Sequence, residues 1–148
     1  MKNRPKSEPL PVLTFRLADQ LYAAPIDYVV EVASMVELTT LPNSPPGVLG
    51  IANRHGSVLP VLDLRRVFEL ETAPVDSSTL FVVVTHDGQM VGLVVDEVHQ
   101  VEYVNLDERR ATAGKYIRDI VSHKGQLVQL IAVPQLLGAV GEGFIESP

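Results

Sequence analysis

The chain reads as an all-β protein, mainly strand with a few short helices, arranged as two similar lobes. Three observations carry that expectation. Short apolar segments alternate with polar residues at a period of two, and turn signals rather than long helical patterns separate them. The second half echoes the first at one constant offset of 69 positions, which sets Gln20 on Gln89, Asp27 on Asp96, Val29 on Val98, Val32 on Val101 and Gly56 on Gly125. With 148 residues, 46% apolar and 20% charged, the chain has enough apolar surface for one domain or two small lobes sharing a core.

Residues 1–10 combine prolines with scattered charge and are expected to form a mobile N-terminal arm. Residues 12–17 alternate as a strand with one buried face, and Ala18-Asp19-Gln20 reads as a turn. Strands follow at 21–26 and 29–36. The loop at 41–47 holds Pro42, Pro45 and Pro46, which remove ladder donors and stiffen it. Segments 48–52 and 58–62 form a hairpin around a polar tip of Asn53, Arg54, His55, Gly56 and Ser57, where Gly56 can supply a positive φ. Asp63 stands before Leu64, Val67 and Phe68 at helical spacing and is expected to cap a short helix. Gly50, Gly56, Pro60 and Asp63 are therefore assigned structural roles.

A polar connector at 69–78 leads to strands at 80–85 and 90–95, joined by His86-Asp87-Gly88-Gln89, whose Asp-Gly pair favours a primed turn. Strands at 98–104, 117–122 and 127–133 complete the pattern, with Pro134 at a helix start and 139–148 as a C-terminal tail. The lobes fall roughly at 11–70 and 79–138. A lobe of about 60 residues is marginal alone, so the two need a shared apolar seam with a groove beside it. The competing reading is that any all-β chain with regular turn spacing partly aligns with itself.

Composition removes several function classes. Eighteen acidic against twelve basic residues give a net charge of −6, which disfavours phosphate backbones and anionic lipid. Without cysteine there are no disulfides, thiolate nucleophiles or thiolate metal sites, in keeping with the cytoplasm. The N-terminal residues lack the apolar stretch of a signal peptide, and no apolar run approaches the length that spans a bilayer. His55, His86, His99 and His123 show no metal-ligand spacing, and no nucleophile elbow or phosphate loop occurs. Asp96-Glu97 and Asp107-Glu108 read as solvated turns, and Arg65-Arg66 and Arg109-Arg110 as solvated faces. No catalytic residue, cofactor or metal ligand is assigned.

The stretch Gly47-Val48-Leu49-Gly50-Ile51-Ala52-Asn53-Arg54-His55-Gly56-Ser57-Val58-Leu59-Pro60-Val61-Leu62-Asp63-Leu64 resembles the CheW family. So do Tyr22-Ala23-Ala24-Pro25-Ile26, Val29-Val30-Glu31-Val32 and Val95-Asp96-Glu97-Val98-His99-Gln100-Val101, and the likeness runs from Leu13 to Leu137. The resemblance implies two five-stranded β-barrels packed together, possessing no catalytic site. It also implies a cytoplasmic adaptor between methyl-accepting chemoreceptor tips and the regulatory domain of a CheA-type histidine kinase, without nucleic acid or direct membrane contact. Whether the barrels follow the two halves or exchange a strand is left open. So is the pathway, flagellar chemotaxis or another such as twitching.

On this likeness the candidate protein-binding residues are Val30, Glu31, Val32, Asn53, Arg54, His55, Val98 and Val101. Val30, Glu31 and Val32 can equally be plain strand residues, and Asn53, Arg54 and His55 a plain polar turn. One departure stands out. The family's Arg, which pairs with the Glu matching Glu31, aligns with His55, while the Arg here sits one place earlier as Arg54. Neighbouring side chains along a strand point to opposite faces, so Arg54 would not restore the pair unless the turn is rebuilt. If His55 pairs with Glu31 instead, receptor-tip affinity is expected to fall as pH rises, and which of the two replaces the family Arg is left open. Outside this family, a small-barrel nucleic-acid binder and a ligand site between the lobes are the alternatives.

Overall fold

The computed structural model describes residues 8–44, 47–110 and 114–146, with side chains described up to 141. In chain order the strands are β1 (Leu10–Leu17), β2 (Gln20–Pro25), β3 (Val29–Ser34), β4 (Val48–Arg54), β5 (Ser57–Asp63), β6 (Leu80–His86), β7 (Gln89–Val95), β8 (Glu97–Val104), β9 (Arg109–Arg110), β10 (Ile117–His123) and β11 (Gln126–Ile131). Helix α1 (Leu64–Val67) follows β5, and α2 (Val133–Glu146) follows β11. Helix α2 extends through residues that the sequence pattern assigned to a tail, and the expected N-terminal arm lies largely outside the described residues.

The strands form a six-stranded sheet in the order β8-β1-β2-β11-β10-β9 and a five-stranded sheet in the order β3-β6-β7-β5-β4. Closed five-stranded barrels do not form: among the described residues the outer strands of each sheet share no ladder. Each sheet nevertheless curls around a small core of its own. Ala33, Ala52, Leu59, Val61, Phe81, Val83 and Val94, drawn from all five strands of one sheet, pack together. Val12, Ala23, Val104, Val121, Val128 and Leu130 do the same in the other.

The offset of 69 positions becomes a relation between strands: β1 falls on β6, β2 on β7, β3 on β8, β4 on β10 and β5 on β11. Registers obey it too. Phe15 faces Val98 as Val84 faces Val29, and Leu130 faces Ala23 as Val61 faces Gly92. The irregularity between Leu13 and Phe15 on β1 recurs against β6 at the same relative place on β3. Each sheet, however, takes its first hairpin from one half and its other strands from the other half. Sheet membership therefore crosses the boundary between 11–70 and 79–138.

The third and largest core is the seam. Leu13, Phe15 and Leu17 of β1, Val82 and Val84 of β6, Leu62, Leu93, and Leu136, Leu137 and Val140 of α2 meet there. Strand β6 explains its own apolar sequence, because Phe81 and Val83 face the small core while Val82 and Val84 face the seam. The rings of Phe15, Tyr22 and Phe68 stack across the seam, with centroids 6.4 and 5.2 Å apart.

Arg65 corrects the sequence reading. Arg66 is exposed as expected, but Arg65 is buried to 2% exposure. Asp63 accepts from the Arg65 backbone N–H at 3.0 Å, so it does cap α1. Its carboxylate also takes Arg65 Nε at 2.9 Å and Nη2 at 3.0 Å, while Arg65 Nη1 donates to Asp96 at 2.8 Å. The other Asp96 oxygen accepts from Ala18 N at 2.6 Å. A guanidinium this deep is retained because both neighbours are carboxylates, and its pKa is held above the ordinary value, mainly by the Asp63 hydrogen bonds. Asp96 is accordingly part of a buried clamp rather than a solvated turn.

Candidate functional site

The hairpin between β4 and β5 is tighter than its sequence suggested. Arg54 pairs with Ser57, so the loop is only His55-Gly56, both with positive φ, and Asn53 and Arg54 extend the strand. Arg54 thus lies on the same face as Ala52, two residues back, and Glu31 lies on the same face as Ala33. Both alanines belong to the small core of the five-stranded sheet. The two edge strands approach here, and the long charged side chains close the mouth above the alanines.

Arg54 Nη2 donates to Glu31 Oε1 at 2.8 Å, and Nε donates to Oε2 at 3.1 Å, a bidentate pair. The expectation that Arg54 points away from Glu31 is overturned, because the departure from alternation begins only at His55, in the turn. His55 is 74% exposed, with Nε2 3.6 Å from Glu31 Oε2 and 3.3 Å from Arg54 Nη2. Hydrogen bonding to Arg54 is the largest cause that holds the Glu31 carboxyl below its ordinary pKa. Guanidinium supplies the pairing charge, and imidazole stands at its rim.

Around this mouth Val30, Val32 and Val58 are exposed, and so is Asn53. Of the structural assignments, Gly56 adopts φ 80° with open space around it, so its constraint is conformational. Gly50 is a matter of space: a Cβ there would lie 2.7 Å from the Thr39 carbonyl oxygen, where residue 39 bridges to Ile51. Pro60 precedes Val61, the first residue of β5 paired with β7, so its missing N–H falls outside that ladder.

The offset carries the mouth into the other lobe with different chemistry. Arg54 falls on His123, His55 on Lys124, and Glu31 on Gln100. Here Glu102 is the acid: His123 Nε2 lies 3.1 Å from it, Lys124 Nζ lies 3.4 Å away, and Gln100 donates to it. These contacts, Gln100 first and His123 next, bring its pKa down to about 2. Val101, Tyr103 and Leu127 are exposed beside it, Leu127 being the counterpart of Val58. Val98 differs from Val101 in packing against the seam. Sequence reasoning found Val101 but missed Glu102, His123 and Lys124, although the offset from Arg54 and His55 pointed to the last two.

Among the described residues no group of three or more His, Asp or Glu side chains is placed to hold a metal ion. One cleft is lined by Arg16, Asp19, Glu69, Glu71 and Asp96, and Asp96 is already engaged by Arg65 and Ala18. No helix among the described residues is long and apolar enough to cross a membrane.

Two lobes with equivalent strand order, a shared seam and side-chain-closed mouths form the frame for comparison with known proteins. The family model for the CheW-like domain matches residues 11–141. The chain belongs to the CheW-like domain family. Chemotaxis protein CheW of Helicobacter pylori is 28% identical, over 92% of this chain and 86% of that protein. Protein FrzA of Myxococcus xanthus is 38% identical over 64% of this chain, which spans 58% of FrzA. Among solved structures, the scaffolding protein TtCheW from Thermoanaerobacter tengcongensis superposes with a TM-score of 0.76 at 27% identity, covering 83% of this chain and 88% of that one. The CheW-like domain therefore accounts for nearly all of the described fold.

Proposed function

We propose that this chain is a non-catalytic adaptor of chemotaxis signalling that holds the regulatory domain of a CheA-type histidine kinase and the cytoplasmic tip of a methyl-accepting chemoreceptor. The observation that carries the reading is the CheW-like match across both lobes, each of which presents exposed apolar residues around a charged mouth. Val30, Val32 and Val58 flank the Arg54–Glu31 pair, and Val101, Tyr103 and Leu127 flank Glu102. Exposed valine and tyrosine beside a fixed ion pair suit protein contacts, in which apolar anchors supply affinity and charge supplies register. Val30 and Val32 on the outer face of β3, with Glu31 and Arg54 closing the mouth on its inner face, form the proposed partner-facing group of the first lobe. Asn53 and His55 line its rim.

The test is co-purification of the full chain with a CheA-type regulatory domain and, separately, with a receptor-tip fragment. Wild type retains both, and Glu31→Lys loses one of them, because it sets a like charge against Arg54. Wild-type protein that retains neither partner, or Glu31→Lys that retains both at full affinity, would overturn the assignment. Thermal stabilisation by a small ligand, or a shift with an oligonucleotide at low salt, would favour the ligand or nucleic-acid alternatives.

A further inference from the structure

The internal repeat is folded in an exchanged manner. The β1–β2 hairpin occupies a seat between β8 and β11, which belong to the other half, and the β6–β7 hairpin occupies the equivalent seat between β3 and β5. Chain crossings between sheets are short: residues Ile26–Tyr28 after β2 and Asp96 after β7. Among the described residues β1 is the first strand and is joined to the elements after it through β2, so the hairpin is linked to β3 by the three-residue crossing at Ile26–Tyr28. We infer that this hairpin is an exchangeable element, and that a second copy of the chain can seat its own residues 10–25 between β8 and β11 to give a hairpin-exchanged dimer.

The physical case rests on equivalence of contacts. An exchanged dimer re-forms the β1–β8 and β2–β11 ladders and returns Leu13, Phe15, Leu17 and Tyr22 to the seam, so only the crossing differs from the monomer. Concentration then sets the balance. Opening is slow, because those buried side chains must leave the seam together. The clamp at the hairpin tip guards the opening. Asp96 accepts from the Ala18 amide at the turn and its own N–H donates to Arg16 O, while Arg65 holds Asp96 from α1. Ala18 is held there at φ 55°, a conformation that alanine resists.

Because the chain has no cysteine, two introduced thiols report the exchange without interference. Gln20 on the hairpin and Gln129 on β11 are joined by a 2.8 Å hydrogen bond, so Gln20→Cys and Gln129→Cys can be linked by a short bismaleimide. The full-length double variant is held near its denaturation midpoint at high concentration, returned to buffer, cross-linked and run on a denaturing gel. An exchanged dimer becomes a covalent dimer, whereas a monomer or a surface-to-surface dimer is linked only within each chain. Asp96→Asn, which keeps the shape of the clamp and drops its charge, is expected to raise the rate of conversion about tenfold. Dimers linked only within each chain, or no dimer even with Asp96→Asn, would overturn the inference.

Discussion

Replacing Arg65 by methionine isolates the buried clamp. Methionine keeps an unbranched apolar stem of similar reach, so the packing loss is small and the change is mainly electrostatic. It strips Asp63, itself only 2% exposed, of both guanidinium hydrogen bonds and leaves it the backbone bond from residue 65 and a loose ion pair with the exposed Arg66 at 3.8 Å. It also frees one oxygen of Asp96, whose other oxygen still holds the Ala18 amide. Breaking a buried ion pair from one side costs about 3–5 kcal/mol. Against a total of about 5–15 kcal/mol, that is a large share of the stability. For a chain of this size the melting temperature should fall by about 6–20 °C, at about 2–4 °C per kcal/mol. Urea denaturation at neutral pH measures the free energy directly. Adding Asp63→Asn removes the stranded charge while keeping a capping side chain, so the double variant is expected to be more stable than Arg65→Met alone. An Arg65→Met protein within about 1 kcal/mol of wild type would refute the claim that the Arg65 guanidinium is needed to hold the buried Asp63 and Asp96 carboxylates.

Acid unfolding should follow the mouth carboxylates. Glu31 and Glu102 have folded pKa values below the ordinary 4.5, so their contributions are complete above that value and are lost progressively as pH falls below it, the loss for Glu102 continuing down to about 2. Urea midpoints measured from pH 6 to pH 2 should show this slope, and Glu102→Gln should flatten its lower part; an identical slope in the variant contradicts the assignment. Gly50→Ala forces a Cβ to within 2.7 Å of the Thr39 carbonyl and 3.1 Å of Leu38 Cβ, and a loss of about 1–3 kcal/mol is expected by thermal unfolding. Under the proposed function, Arg54→Ala should weaken partner binding about tenfold, read by calorimetry. Wild-type affinity should change less than about twofold between pH 6 and 8, since guanidinium stays charged across that range. A steep pH dependence would return the pairing role to His55.

Much of the architecture was legible because strand period and turn chemistry are local. The Asp-Gly turn at Asp87-Gly88, the Asp63 cap and the 69-residue echo were each visible in the sequence and match the fold. The Arg54–Glu31 pair stays open in the sequence for a local reason as well. A five-residue tip and a two-residue turn set Arg54 on different faces, and the register shows the turn to be two residues. Burial of Arg65 is hidden for a different reason. An arginine beside another arginine carries no mark of burial unless the carboxylate that meets it, Asp96, is known to lie near by, and Asp96 is 31 positions away in the chain.

The sequence by itself determined most of the strands and where their turns fall, since these depend on residues within a few positions of one another, and also the repetition, which shows when one half is laid on the other. Only the tertiary structure decided that the hairpins are exchanged between halves, that two curled sheets stand in place of closed barrels, and which charges are paired. Hydrogen-bond ladders join strands by shape and register, and two equivalent seats offer a hairpin the same contacts. The choice between them rests on crossing length and seam packing, neither of which is a property of any local stretch of the chain.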